Sequence, residues 1–243
     1  MAARMRIDRL LVERGLFESR AQAQAAIAAG LVTADDRLIT KASVELAADA
    51  VLSAQLPHPY VSRGGVKLAA ALDHFGFDPE GAICLDVGAS TGGFTDVLLT
   101  RGAARVYALD VGRAQLHPRL RARPEVVVRE ETDIRALAHG ELSPPPAFIT
   151  IDVAFISLKL VLPAALAQAA MPAHLVALIK PQFEAGRGAV KKGIVRDAHV
   201  HAAVCEEIVQ VVAALGWHVV GLIPSPLLGQ DGNREFLIGA THG

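Results

Sequence analysis

The chain has 243 residues, 52% hydrophobic and 20% charged. That composition excludes a disordered polypeptide, because it holds enough apolar surface to offset the entropy of ordering a chain. Lys plus Arg (24) and Asp plus Glu (25) leave a net charge of −1, which excludes a uniformly basic nucleic-acid coat but not a local basic patch. The two cysteines, Cys84 and Cys205, cannot make a disulfide framework or a cysteine-rich zinc site. They read as small core residues of a cytoplasmic protein, and no metal site is expected. Asp8, Arg9 and Glu13 follow the start closely and leave no room for a signal-peptide apolar region. Leu160 to Ile179 is uncharged and long enough to span a bilayer. Pro163, Gln168, Pro172 and His174 break it, so it reads as a helix, a turn and a buried strand.

In chain order, Ile7, Leu10 and Leu11 with interleaved arginines predict a short amphipathic helix. Ser19-Arg20-Ala21-Gln22 is a capping box for a second helix that runs to Ala29 and stops at Gly30. Leu31 to Leu56 reads as short strands with a turn at Asp35-Asp36. Acids and bases balance in these 56 residues, but the bases crowd the helices and the acids the strands. Pro57-His58-Pro59 reads as a linker, taken to end at residue 61.

From there the pattern becomes a strand–helix alternation, the signature of an α/β fold with a mostly parallel sheet. Leu68, Leu72 and Phe75 mark a lead-in helix. Strands are expected at Ile83–Val87, Val106–Asp110, Val126–Val128, Phe148–Asp152, Leu175–Lys180, Trp217–Ile223 and Phe236–Ala240. Helices are expected at Phe94–Thr100, at Leu158–Ala170 and from Asp197 to Gly216. Only a loop joins the last two strands, so the seven-stranded sheet should close with an antiparallel strand.

In an open α/β sheet, ligands bind outside the carboxyl ends of the strands. The first strand of this region ends in Asp86-Val87-Gly88-Ala89-Ser90-Thr91-Gly92-Gly93-Phe94, a glycine turn that lets backbone approach a ligand. It is neither the dinucleotide fingerprint nor a P-loop, which argues against a nicotinamide oxidoreductase and against tight triphosphate binding. Asp110 ends the second strand, where an acid can accept from ribose hydroxyls. Asp133, after the third, suits either an adenine edge or a helix N-cap. Asp152 and Lys180 close two further strands, Glu235 opens the last one, and Lys67 lies in the lead-in helix after Ser62-Arg63-Gly64-Gly65. Charges of alternating sign at one sheet edge are costly to desolvate unless they are paired or used.

Lys67, Asp152, Lys180 and Glu235 match the lysine–aspartate–lysine–glutamate tetrad of the FtsJ-like ribose 2′-O-methyltransferases. Residues 62–68, 85–94 and Ile179-Lys180-Pro181-Gln182-Phe183-Glu184 resemble the TlyA, or hemolysin A-like, family. Thr91 stands where FtsJ-like enzymes often carry proline. The resemblance implies an S4-type RNA-binding domain over residues 1–56 and a Rossmann-like methyltransferase domain over 62–243. It also implies S-adenosyl-L-methionine as cofactor, held by Asp86, Gly88, Ser90, Gly92, Gly93, Phe94, Asp110 and Asp133. The implied activity is methylation of cytidine 2′-hydroxyls in ribosomal RNA. The compact chain resembles the family members that modify the large subunit alone.

Within that resemblance, Lys180 is the expected base, acting neutral, with Lys67 as a neighbouring positive charge. Asp152 would orient the lysine and interact with the sulfonium, and Glu235 would hold Lys67 or the ribose. Arg6, Arg9, Arg14, Arg20, Arg63, Arg187, Lys191 and Lys192 are the expected phosphate contacts. The partners are then ribosomal RNA or ribosomal subunits, without stable membrane association. An RNA-binding assembly factor with an inert methyltransferase domain and a membrane-lytic hemolysin are the rival classes.

Overall fold

The computed structural model describes residues 4–186 and 188–243. They divide into two compact units, one up to Pro59 and one from Tyr60 to Gly243.

In the first unit, β1 (Arg4–Arg6) leads into α1 (Ile7–Glu13) and α2 (Arg20–Ala28). Ser19 Oγ accepts from Gln22 N, and the Gln22 side chain returns a bond to Glu18 N, one residue earlier than a regular capping box. β2 (Val32–Ala34), β3 (Arg37–Leu38) and β5 (Leu52–Ala54) form one small antiparallel sheet, and β4 (Glu45–Ala47) pairs with β1. Asp35 and Asp36 both take positive φ in the β2–β3 turn. Ile7, Leu11, Phe17, Ala23, Ile27 and Val32 make a separate core for this unit.

The second unit opens with α3 (Gly64–Phe75) and β6 (Ile83–Val87). Then come α4 (Gly93–Thr100), β7 (Arg105–Leu109), α5 (Pro118–Arg121), β8 (Val126–Arg129), β9 (Phe148–Ile151) and α6 (Leu158–Leu166). β10 (Ala173–Ile179), α7 (Pro181–Glu184), α8 (Ala198–Ala214), β11 (His218–Pro224) and β12 (Phe236–His242) complete it. The strands form one sheet in the order β11-β12-β10-β9-β6-β7-β8. β6 to β10 pair in parallel, and β12 runs antiparallel to both neighbours. The expected seven-stranded sheet with a reversed last strand is therefore present. Tyr60 and Val61, read from the sequence as linker, belong to this unit: Val61 N donates to Asp96 Oδ2 at 2.8 Å.

β6, β9 and β10 are apolar on both faces because helices cover both sides. Leu85, Ile149, Leu162, Leu175 and Ile208 pack on one face, and Leu68, Phe94, Leu98, Phe148 and Val176 on the other. Cys84 and Cys205 are buried free thiols, and burial pushes them up to about 12 and about 11. The uncharged stretch from Leu160 to Ile179 divides between α6 and β10. Among the described residues, no helix is long and apolar enough to cross a membrane.

Candidate active site

The carboxyl ends of β6, β7 and β9 open into a cavity of about 960 Å³, within the range that holds small ligands. Its wall includes Gly88 and Ser90 after β6, Asp110 after β7, Asp133 after β8 and Asp152 after β9. The loop geometry explains the glycine at 88. Its φ is +83°, and a Cβ there would overlap the Asp152 carbonyl oxygen. Ser90 is held at φ +47°, with its N–H on Asp110 Oδ2 at 2.8 Å, while Gly112 N donates to Asp110 Oδ1 at 2.7 Å. One carboxylate thus fixes the two loops that flank the cavity. Glu130 anchors the second of these loops by accepting from the backbone of Ala114, Gln115 and Leu116 and from Arg121. Those bonds hold its carboxyl down to about 2.

Other residues expected at the cofactor lie behind the wall. Asp86 is fully buried; it accepts from Thr95 Oγ1 at 2.7 Å and from Thr150 Oγ1 at 3.0 Å. Burial pushes its carboxyl up to about 7 against these two bonds. It ties α4 to the sheet beneath the glycine loop. Gly92 packs against Leu116 and Leu120, and Gly93 leaves no space for a Cβ beside Ser62 Oγ. Phe94 belongs to the core under α3. These four shape the loop from within: Asp86 through its two threonine bonds, Gly92 and Gly93 by close packing, and Phe94 from the core. Asp133 does line the cavity, but as an N-cap: it accepts from Arg135 N at 2.9 Å and pairs with the Arg135 guanidinium, which lowers its carboxyl.

The tetrad forms two ion pairs. Lys180 Nζ lies 2.6 Å from Asp152 Oδ1, and Lys67 Nζ lies 2.5 Å from Glu235 Oε2. Asp152 Oδ1 is sealed from solvent and has no aligned hydrogen-bond donor, so the Lys180 contact is chiefly electrostatic. β9 and β10 pair in parallel, which sends Asp152 and Lys180 out of the same edge. β12 is reversed and pairs Phe236 with Ile179, so the residue before it, Glu235, emerges there too. Lys67, in the first half of α3, reaches down to Glu235.

The wall's chemistry selects a class of ligand. Its acids are Asp110, Asp133 and Asp152; its single base, Arg135, is already paired with Asp133. Gln182 Oε1 is sealed from solvent and has no hydrogen-bond partner among the described residues. Val87, Leu109, Ile134 and Val153 supply apolar surface. Acids, an unpaired acceptor and apolar walls fit a cationic, adenosine-bearing cofactor such as S-adenosylmethionine and disfavour a phosphorylated one.

Two aromatic residues at the cavity were not singled out from the sequence. Phe155 is 89% exposed with φ +64°, and its ring lies 5.1 Å from that of Phe183. Phe183 and Gln182 sit inside the quoted lysine motif, so their position was available; the exposure of Phe155 was not.

The expected RNA contacts divide. Asp8 is completely buried and accepts from Arg6, Arg20 and Gln24, with Arg6 contributing most to holding its carboxyl far below the usual range. Arg14 donates to the carbonyls of Ala48 and Ala50. Arg6, Arg14 and Arg20 therefore hold the first unit together, because a buried carboxylate and open carbonyls demand donors. Arg9, Arg63, Lys191 and Lys192 are exposed, and Arg63 donates to the Leu228 carbonyl at 3.2 Å. Arg187 lies outside the described residues.

Comparison with known proteins agrees with this arrangement. Residues 60–242 match the FtsJ-like methyltransferase family, and residues 5–52 match the S4 domain. The 16S/23S rRNA (cytidine-2'-O)-methyltransferase TlyA of Mycobacterium tuberculosis is 43% identical over 241 residues, covering 98% of this chain and 90% of that protein. Hemolysin A of Brachyspira hyodysenteriae is 38% identical over 235 residues, covering 96% of this chain and 98% of its own length. A solved structure of a hemolysin-type protein from Streptococcus thermophilus superimposes with a TM-score of 0.78 at 40% identity, covering 100% of this chain and 90% of that one. With one family model spanning the second unit, another spanning most of the first, and relatives aligned along nearly the full length, the chain belongs to the FtsJ-like methyltransferases, in the TlyA branch that carries an N-terminal S4 domain.

Proposed function

We propose that this protein transfers a methyl group to ribose 2′-hydroxyls, those of cytidine, in ribosomal RNA. The observation that carries this reading is the Lys180–Asp152 pair at the edge of a cavity whose acids and apolar walls suit S-adenosylmethionine. That cofactor supplies an activated methyl group on a sulfonium. Placement of the attacking oxygen then accounts for much of the rate. Lys180 accepts the hydroxyl proton at Nζ, a step that requires the neutral amine. Asp152 fixes the position of that nitrogen, and the Lys67–Glu235 pair borders the ribose. Asp110 accepts from the cofactor ribose with the lone pairs its two backbone donors leave free.

The exposed face of Phe155, beside Phe183, offers a stacking surface to an unstacked base. The S4 domain and the exposed bases Arg9, Arg63, Lys191 and Lys192 supply phosphate contacts, with ribosomal subunits or their RNA as partner in the cytoplasm.

The test is methyl transfer to purified ribosomal subunits, with 2′-O-methyl sites mapped on both RNAs. Lys180→Ala should lose about 10²–10⁴-fold in turnover with cofactor affinity retained, and Asp152→Ala should lose turnover on the same scale while the fold and RNA binding persist. Modification of 23S RNA alone fits the large-subunit expectation; modification of both RNAs fits the specificity named for the mycobacterial relative. Cofactor binding without any transfer would favour the inert assembly factor, and lysis of vesicles without transfer would favour the hemolysin.

A further inference from the structure

Two segments meet at the active edge, one after β9 and one after β10. Their contacts run in step along the chain. Asp152 meets Lys180 at 2.6 Å. Phe155 meets Phe183 with ring centroids 5.1 Å apart. Ser157 and Leu158 meet Glu184: Ser157 Oγ donates to Glu184 Oε2 at 2.5 Å, and Leu158 N donates to Glu184 Oε1 at 2.7 Å. The first contact holds the reacting groups and the second frames the cavity mouth. The third has no chemical duty in the reading above.

From this we infer that Glu184 is a positioning residue for the methyl transfer, a clasp that fixes Lys180 and its α7 segment to the Asp152–Ser157 loop. The inference rests on the reading that Lys180 and Asp152 carry the reaction. α7 begins directly after Lys180 and ends at Glu184, so moving one end of this four-residue helix moves the other. α6 is anchored in the core by Leu158, Val161 and Leu162. Ser157 caps that helix through Lys159 N, and the Glu184 carboxylate adds a second cap from a distant part of the chain. Glu184 therefore refers the lysine segment to a rigid element. At its other end the loop is pinned by the Asp152 N–H on the Val87 carbonyl at 2.9 Å. Between the pins, Phe155 holds a positive φ, a conformation that persists in a non-glycine residue only when the surroundings impose it. Release of Glu184 frees one pin, and with it the separation of Lys180 from Asp152 and of Phe183 from Phe155.

The experiment measures kcat, the KM for ribosomal subunits, the Kd for S-adenosylmethionine and Tm for full-length Glu184→Gln, Glu184→Ala, Ser157→Ala and Lys180→Ala. Glu184→Ala should lose on the order of 10²-fold in kcat, the scale of an ångström-sized misplacement. Its cofactor Kd should rise by much less than kcat falls, because Asp110 and the glycine loop are untouched while only the Asp152–Ser157 side of the cavity is released. Glu184→Gln, which keeps its volume and a carbonyl acceptor, should recover part of the rate. The double variant Glu184→Ala/Ser157→Ala should lose less than the product of the two single losses, since both substitutions remove the Ser157–Glu184 bond. Full activity in Glu184→Ala, beside an inactive Lys180→Ala, would overturn the clasp and leave the catalytic reading standing. Full activity in Lys180→Ala would overturn the catalytic reading itself. If Glu184→Ala fails to fold, Glu184→Gln and Ser157→Ala carry the test: a drop in Tm with kcat unchanged in both makes Glu184 a helix cap only and refutes the proposal.

Discussion

Lys67 Nζ and Glu235 Oε2 stand 2.5 Å apart although 168 positions separate them in the chain. Both side chains are nearly sealed from water, at 11% and 3% exposure. A buried pair of this kind adds little net stability while intact, but removing one partner strands a charge and costs about 3–5 kcal/mol. Lys67→Ala and Glu235→Ala should therefore lower the unfolding midpoint strongly as well as activity. Lys67→Met/Glu235→Leu should recover stability without recovering transfer. Denaturant unfolding alongside activity separates the two effects, and recovery of both would show that this pair serves only the fold.

Asp110→Ala should weaken S-adenosylmethionine binding by about tenfold or more. The ribose loses its acceptor, and the N–H groups of Ser90 and Gly112 lose theirs, so both flanking loops loosen. Titration calorimetry checks this, and an unchanged affinity would remove Asp110 from the cofactor site.

Asp86 makes stability depend on pH. Its carboxyl is raised from 3.8 to about 7, first by burial. The folded state therefore keeps a proton that the unfolded state releases above pH 4. Its contribution to stability should be greatest below that pH, fall as pH rises toward 7, and then level off. Asp86→Asn should abolish this fall and stabilise the protein at pH 8 by a few kcal/mol, on the order of the pKa displacement. Urea unfolding at pH 5, 6 and 8 measures it; equal slopes in the two proteins would show that Asp86 is ionised when folded.

Deleting residues 1–56 should reduce RNA affinity and its salt dependence together, because fewer counterions are released. Cofactor affinity should persist, since the two units have separate cores. Within the unit, Arg9→Ala should lower the salt slope by about one. Arg20→Ala should act mainly on stability, because it strips a donor from the buried Asp8. Filter binding across a salt series distinguishes these, and an unaltered slope after truncation would place the RNA anchor elsewhere.

The strand–helix rhythm of the second unit was legible because buried strands such as Ile83–Val87 are short apolar runs bounded by glycine. The reversal of β12 followed from the reading that only a loop, residues 225–235, joins it to β11. Four charges at the ends or starts of apolar elements marked the candidate site, although their pairing into Lys180–Asp152 and Lys67–Glu235 depends on register and side-chain reach. The glycine loop was legible as a loop, not as a division between cavity wall and core. Asp86 is taken up by Thr95 and Thr150, and Phe94 by the core under α3, which no sequence pattern separates from the cavity wall. Arg6 and Arg20 carry a structural duty that the sequence did not show. A basic residue in a helix looks the same in sequence whether it faces phosphate or a buried aspartate, and Asp8 declares its burial only through the packing of Ile7, Leu10 and Leu11 around it.

The reversal of β12 also separates the catalytic edge from the end of the chain. Phe236 pairs with Ile179 beside the tetrad, whereas His242 pairs with Ala173 at the opposite rim of the sheet. A fluorophore or affinity handle fused after Gly243 thus departs from the opposite rim of the second unit's sheet, some seven residues of strand away from Glu235. Inserting the same handle into the Gly229–Arg234 turn would push directly on Glu235, against which the Gly229 backbone packs without room for a Cβ. Surface immobilisation through the carboxyl terminus should accordingly leave the edge that carries Asp152, Lys180 and Glu235 free.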